Sequence, residues 1–143
     1  MANAIKTKQH DGQHLRLTYP AFLKVKMLEP KWSAFAPKQT GAVVITLDPP
    51  PPIAQAFQRL LKNPDFTRVP GAVIVREGPF TSPHGLKGWE RVTELNGVAG
   101  WMIDGTIGNS RPLNIQIWST KDVWGDGTAW KALVDSIQLV GEA

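Results

Sequence analysis

Val98–Thr120, VAGWMIDGTIGNSRPLNIQIWST, decides the architecture. Trp101, Ile103 and Ile107 fall on one side of an alternating run, and Leu113, Ile115 and Ile117 do the same after Gly108-Asn109-Ser110-Arg111-Pro112. A repeat of two turns successive side chains to opposite faces of a sheet, and the Gly/Asn/Pro-containing segment supplies the turn, so the stretch predicts an antiparallel hairpin.

Alternation extends outward from that hairpin. In Leu86–Leu95 the spacing of Trp89, Val92 and Leu95 by three suits a short helix, but the turn signal Asn96-Gly97 that follows favours a strand joined to the next by a second tight turn. Ala72–Arg76, AVIVR, is another strand, followed by a loop over Gly78–Gly85. Ala42–Asp48 alternates Val43, Ile45 and Leu47 against Ala42, Val44 and Thr46, and then meets four prolines, Pro49–Pro52. Such a run is stiff and cannot pair as a strand, and its last residue suits the first turn of a helix. Ile53, Ala54, Phe57, Leu60 and Leu61 follow helical spacing, which predicts one amphipathic helix ending near Asn63-Pro64.

Near the N-terminus, residues 1–13 are polar and lack any period, and they read as a flexible lead-in to a single α/β domain over residues 14–143. Leu15, Leu17 and Tyr19 alternate with His14, Arg16 and Thr18; Leu23, Val25 and Met27 alternate with Lys24 and Lys26. The expectation is a first hairpin whose outer face gathers Arg16, Lys24 and Lys26 into a basic stripe. Glu29–Gly41, with two prolines, reads as a loop anchored by Trp32 and Phe35. At the other end, Ser119–Thr128 is a polar passage holding Trp124. Ala129–Asp135 is a helix facing inward through Trp130, Leu133 and Val134, with Asp126 or Thr128 as its cap, and Ile137–Val140 is a last short strand.

Charge and composition narrow the function. Residues 1–41 hold seven Lys and Arg against two Asp and Glu, whereas residues 42–143 hold nine against ten, so the formal net charge of +4 is an N-terminal property. A basic face steers acidic partners. With no cysteine in the chain, thiolate metal sites and cysteine nucleophiles are excluded. No apolar run reaches the roughly 18 residues of a membrane span, and MANAIKTKQHDGQ has no apolar core of an export signal.

The strand order and two local sequences resemble the Mog1/PsbP-like fold. Leu17-Thr18-Tyr19-Pro20-Ala21-Phe22 is similar to that family's strand ending in an aromatic and a proline, and Trp130–Leu139, WKALVDSIQL, to its last helix running into a short strand, with Ile137 where an aromatic is commoner. The resemblance spans Leu15–Val140. It implies an α/β sandwich in which helices cover a mostly antiparallel, twisted sheet of about six to seven strands. It also implies a function without catalysis, with bacterial lipoproteins and secretion accessory proteins as the nearer members.

No residue set spells out a reaction. His10, His14 and His84 lack a further defined ligand at short spacing. Asp122, Asp126 and Gly127 lack the alternating oxygens of a calcium loop, so no metal or cofactor is expected. None of Ser33, Ser82, Ser110, Ser119 and Ser136 lies in a Gly-x-Ser-x-Gly elbow. The six tryptophans point instead to binding. Trp101, Trp130 and Trp89 suit the core. Trp118 shares the Asn114 and Gln116 side of its strand, where it is either exposed or covered by a helix, and Trp124 sits in a polar loop.

The expected site is therefore a partner-binding surface of Trp124, Trp118, Arg111, Arg16, Lys24 and Lys26. Its partner is another protein, an acidic one where the basic residues take part. The expected role is that of an accessory, chaperone or toxin-neutralising immunity protein. The setting is the periplasm or cell envelope if an export signal has been removed, and the cytoplasm otherwise. The competing readings are a hydrolase with a dispersed Ser/His/Asp site and a basic nucleic-acid-binding module.

Overall fold

The computed structural model describes residues 6–61 and 70–140. It forms two antiparallel sheets. In chain order the elements are β1 (Thr7–Asp11), β2 (Leu15–Pro20), β3 (Lys24–Met27), β4 (Lys31–Phe35), β5 (Gly41–Leu47), α1 (Pro51–Leu61), β6 (Val73–Thr81), β7 (Lys87–Leu95), β8 (Val98–Ile107), β9 (Arg111–Thr120), α2 (Lys121–Trp124), α3 (Thr128–Ser136) and β10 (Gln138–Leu139). The large sheet runs β3-β4-β5-β9-β8-β7-β6, and the small one β1-β2-β10.

The central hairpin is β8–β9, in register from Val98↔Thr120 to Ile107↔Arg111. Its turn is shorter than the sequence suggests, three residues, with Gly108 and Ser110 at positive φ. Asn96 and Gly97 both adopt positive φ between Leu95 and Val98, the conformation a two-residue hairpin loop requires. Trp101, Ile103, Ile107, Leu113, Ile115 and Ile117 all point to the inner face and are buried. There they join Leu15 and Leu17 of the small sheet and Trp130, Leu133 and Val134 of α3 in one apolar cluster. Helix α3 is tied to β2 by Ser136, whose Oγ accepts the Thr18 amide hydrogen at 2.8 Å.

Several local expectations are corrected. Thr7–Asp11 is a strand rather than part of a lead-in: β1 is polar on both faces, so no apolar period betrays it, and its backbone ladder to β2 holds it. Residues 1–5 lie outside the described residues. The predicted hairpin of β2 with β3 does not form, because β2 already has β1 on one side and β10 on the other. After a turn closed by Leu23 N–H donating to the Pro20 carbonyl, the chain crosses to the large sheet. The predicted loop Glu29–Gly41 contains strand β4, whose Trp32 is wholly buried while Phe35 is exposed. Prolines just outside the strand, Pro30 and Pro37, mask its alternation.

Strand β6 likewise continues through Gly78 and Pro79, which an edge strand tolerates because one of its sides needs no amide donor. Trp89 is not core. It stands on the outer face opposite Asp104, because Val92 belongs to the inward set of β7 and Trp89 does not. Helix α1 lies on the outer face against β8 and β9, with Leu61 buried but Ile53 and Leu60 exposed. The helix end expected near Asn63-Pro64 lies outside the described residues.

Candidate protein-binding surface

Three consecutive registers build one cross-strand row on the outer face of the large sheet. Lys24 pairs with Phe35, Phe35 with Ala42, and Ala42 with Trp118; Gly100 follows on the far side of Trp118. Neighbouring strands lie about 4.8 Å apart, so the backbones of Phe35 and Trp118 are separated by roughly 10 Å. Ala42 is buried between them, while Phe35 and Trp118 are 41% and 42% exposed. Cross-strand neighbours usually pack on one another to stabilise a sheet. Trp118 is flanked by the two smallest residue types instead, and its ring gains little from its own sheet. In the next row on this face Val44 and Gln116 are half-buried and uncharged, and Met102 follows before Arg91, which is paired with Glu77.

The basic residues end up divided. Arg16 sits in the small sheet and is paired at 2.8 Å with Asp11, its cross-strand partner on β1. Lys24 and Lys26 lie on β3, the edge of the large sheet. The expected stripe therefore does not exist, since it depended on the β2–β3 hairpin. In its place Lys24, Lys26 and Lys38 line a concavity of about 610 Å3 together with Phe22, Phe35 and Pro37. Among the described residues none of these three lysines has an ion-pair partner.

The remaining predicted site residues are placed elsewhere. Trp124 is half-buried on the inner side, edge-on to Trp101 with ring centroids 6.3 Å apart. The Arg76 guanidinium lies 5.6 Å from the Trp101 ring centroid, and the Trp101 indole N–H donates to Glu90 at 2.9 Å. Trp118 and Trp124 thus serve opposite sides of the sheet. Arg111 pairs with Asp48 at the far end of β9, seven residues and about 23 Å from Trp118. Sequence reasoning missed Phe22, Phe35 and Lys38. Phe35 was legible as the outward member of Lys31-Trp32-Ser33-Ala34-Phe35; Phe22 and Lys38 carry no periodic signal.

His10, Ser82 and Asp126 have structural partners. His10 Nε2 lies 2.7 Å from Glu29 Oε2, and Glu29 Oε1 accepts the amide hydrogens of His14 and Leu15 at 2.8 and 2.9 Å. The Ser82 hydroxyl accepts the Leu86 amide hydrogen in the β6–β7 turn. Asp126 accepts the Thr128 amide hydrogen at 2.9 Å, but the cap position of α3 expected for Asp126 or Thr128 is held by Gly127 between them. Hydrogen bonds from the Thr128 side chain and backbone hold the Asp126 carboxyl below its ordinary range. Among the described residues no serine hydroxyl bonds a histidine. Among the described residues no group of three or more His, Cys, Asp or Glu is placed to hold a metal, and no helix is long and apolar enough to cross a membrane.

This is an α/β protein of the Mog1/PsbP-like fold. The solution structure of the cyanobacterial PsbP protein CyanoP from Synechocystis sp. PCC 6803 superimposes with a TM-score of 0.59 at 7% identity, covering 96% of this chain and 95% of that one. The crystal structure of LpqN, described as involved in cell envelope biogenesis of Mycobacterium tuberculosis, gives a TM-score of 0.57 at 17% identity over 96% and 92%. No protein-family signature matches the sequence, and no curated protein matches it.

Proposed function

We propose that this chain is a non-catalytic protein-binding protein of the bacterial envelope, an accessory, chaperone or immunity protein, and that it holds its partner on the outer face of the large sheet. The observation that carries this reading is the row of Lys24, Phe35, Ala42 and Trp118, in which two exposed aromatics flank a small residue beside lysines that have no ion-pair partner among the described residues. Interfaces concentrate their binding energy in aromatic anchors with a charged rim, and a ring whose cross-strand partners are only Ala42 and Gly100 loses little when it turns to an external one. The envelope setting is carried over from LpqN on the strength of a shared fold and is the less direct half of the reading.

A photo-crosslinking amino acid placed at position 118 tests the surface in native cells. The expected result is one discrete adduct with another protein, absent when the same amino acid replaces exposed His84 on the β6–β7 turn. Equal labelling from both positions, or none from 118, overturns the reading.

A further inference from the structure

The two edges of the large sheet differ in charge. On the β6 side, Arg76 pairs with Glu90 and Arg91 with Glu77, so charges of both signs are matched. On the β3 side the charged groups of the edge strand are Lys24 and Lys26, beside the exposed Met27, with Lys38 close by in the same concavity, and no carboxylate lines that concavity. Strand β3 hydrogen-bonds to β4 alone, which leaves its other side with backbone donors and acceptors that pair with nothing among the described residues. Lysines on an edge ordinarily prevent strands from adding to it. That protection is selective. A second copy of this chain would set lysines against lysines, which is destabilising, whereas a strand bearing carboxylates would gain a favourable cross-strand contact at the same positions.

We propose that the β3 edge is the docking site of an extended, acidic segment of another protein, which adds beside β3 as a further strand. Its carboxylates meet Lys24, Lys26 and Lys38, and one of its apolar side chains enters the concavity between Phe22 and Phe35. This inference rests on the protein-binding reading above and names the chemistry of the partner. Strand β3 is only four residues long, and a bulge between Val25 and Met27 interrupts its ladder, so backbone bonds to the added strand are few. Recognition therefore depends on the lysines and the two rings, in the manner of strand addition where backbone bonds hold the segment and side chains select it. A single-stranded nucleic acid would use the same lysines, but it needs a groove whose positive charge continues along the backbone. Beyond Phe35 its row turns to Ala42, Trp118 and Gly100; Lys31 stands four residues away on β4, and Arg91, at the end of the Val44–Gln116–Met102 row, is paired with Glu77, so the positive charge does not continue across the face.

The test uses the whole chain and a fluorescein-labelled peptide of alternating Glu and Val with one central Phe. A peptide with Lys in place of Glu and an oligothymidylate serve as competing probes. Anisotropy should show saturable binding of the Glu peptide alone, and amide hydrogen exchange should show protection gained over Lys24–Met27. The variant K24E/K26E, altered only at exposed side chains, should melt like the wild type, bind the Glu peptide about tenfold more weakly and accept the Lys peptide instead. Absence of Glu-peptide binding, binding without protection of β3, or tighter binding of oligothymidylate would each overturn the proposal. Failure here with a specific crosslink from position 118 removes strand addition and leaves the outer-face surface standing. Peptide binding without that crosslink does the reverse.

Discussion

Phe35 and Trp118 stand on either side of Ala42 in one row of the outer face, brought together from opposite halves of the chain by the β4–β5 and β5–β9 pairings. Neither ring belongs to the buried cluster.

Replacing Trp118 by alanine removes a ring that rests on Ala42 and Gly100 and is half in solvent. Unfolding stability should stay within about 0.5 kcal/mol of the wild type. Affinity for the crosslinked partner should fall by about 2 kcal/mol or more, as for an interface anchor. Trp124→Ala should behave oppositely. It loses the edge-on contact with Trp101 and its own partial burial, costing about 1 to 2 kcal/mol of stability with partner binding unchanged. Urea titration and a binding isotherm on both variants decide the assignment, and the reverse pattern would move the site to Trp124.

Trp130 is fully buried in α3 and meets Phe22 edge-on at a centroid distance of 6.5 Å. Trp130→Ala should therefore cost about 3 to 5 kcal/mol, as large core truncations do. A midpoint in urea close to that of the wild type would contradict the packing of α3 on the sheets.

Glu29 ties the β1–β2 turn to the segment that leads into β4. Its carboxylate, 8% exposed, accepts two backbone amide hydrogens and faces His10. Glu29→Ala leaves those donors without an acceptor and should destabilise by about 2 to 3 kcal/mol. Glu29→Gln keeps an oxygen for the amides and should cost less. Equal losses in the two variants, measured by chemical denaturation, would show that packing rather than hydrogen bonding matters there.

Asp104 is half-buried on the outer face, and desolvation raises its pKa above the ordinary value of 3.8, against the lowering effect of its hydrogen bond from Asn114 at 3.1 Å. A carboxyl with a raised folded pKa binds its proton more tightly in the native state. Its favourable contribution is complete below 3.8 and is lost as pH rises through the folded pKa. Asp104→Asn keeps the oxygen that Asn114 bonds and removes the charge. The variant should melt at a higher temperature than the wild type at pH 7, with the difference shrinking toward pH 3. A gap that widens on acidification would show that the ionised carboxylate is stabilised in place.

Alternation and spacing made the β8–β9 hairpin, the inward face of α3 and the burial of Trp101 and Trp130 legible, because each depends on side-chain direction within one element. The spacing of Trp89, Val92 and Leu95, by contrast, suited a short helix, and the turn signal after them spoke for the strand β7. The Asn96-Gly97 turn was legible for a similar reason, since two residues of that kind accept positive φ at low cost. The Mog1/PsbP-like architecture followed from the order of those elements.

Strand partnership was settled only by the tertiary structure. Nothing local in Leu15–Met27 distinguishes a hairpin from two strands in different sheets; what decides it is that β1 and β10 occupy both sides of β2. The candidate surface was illegible for the same reason. Trp118 was readable as an outward residue, but its neighbours Ala42 and Phe35 come from strands far away in sequence, and its exposure depends on where α1 comes to rest. A sequence specifies, residue by residue, which side of a strand a side chain takes. Which strands lie beside it, and what covers them, is set by how the apolar faces of all the elements are buried together, and that is a property of the whole chain.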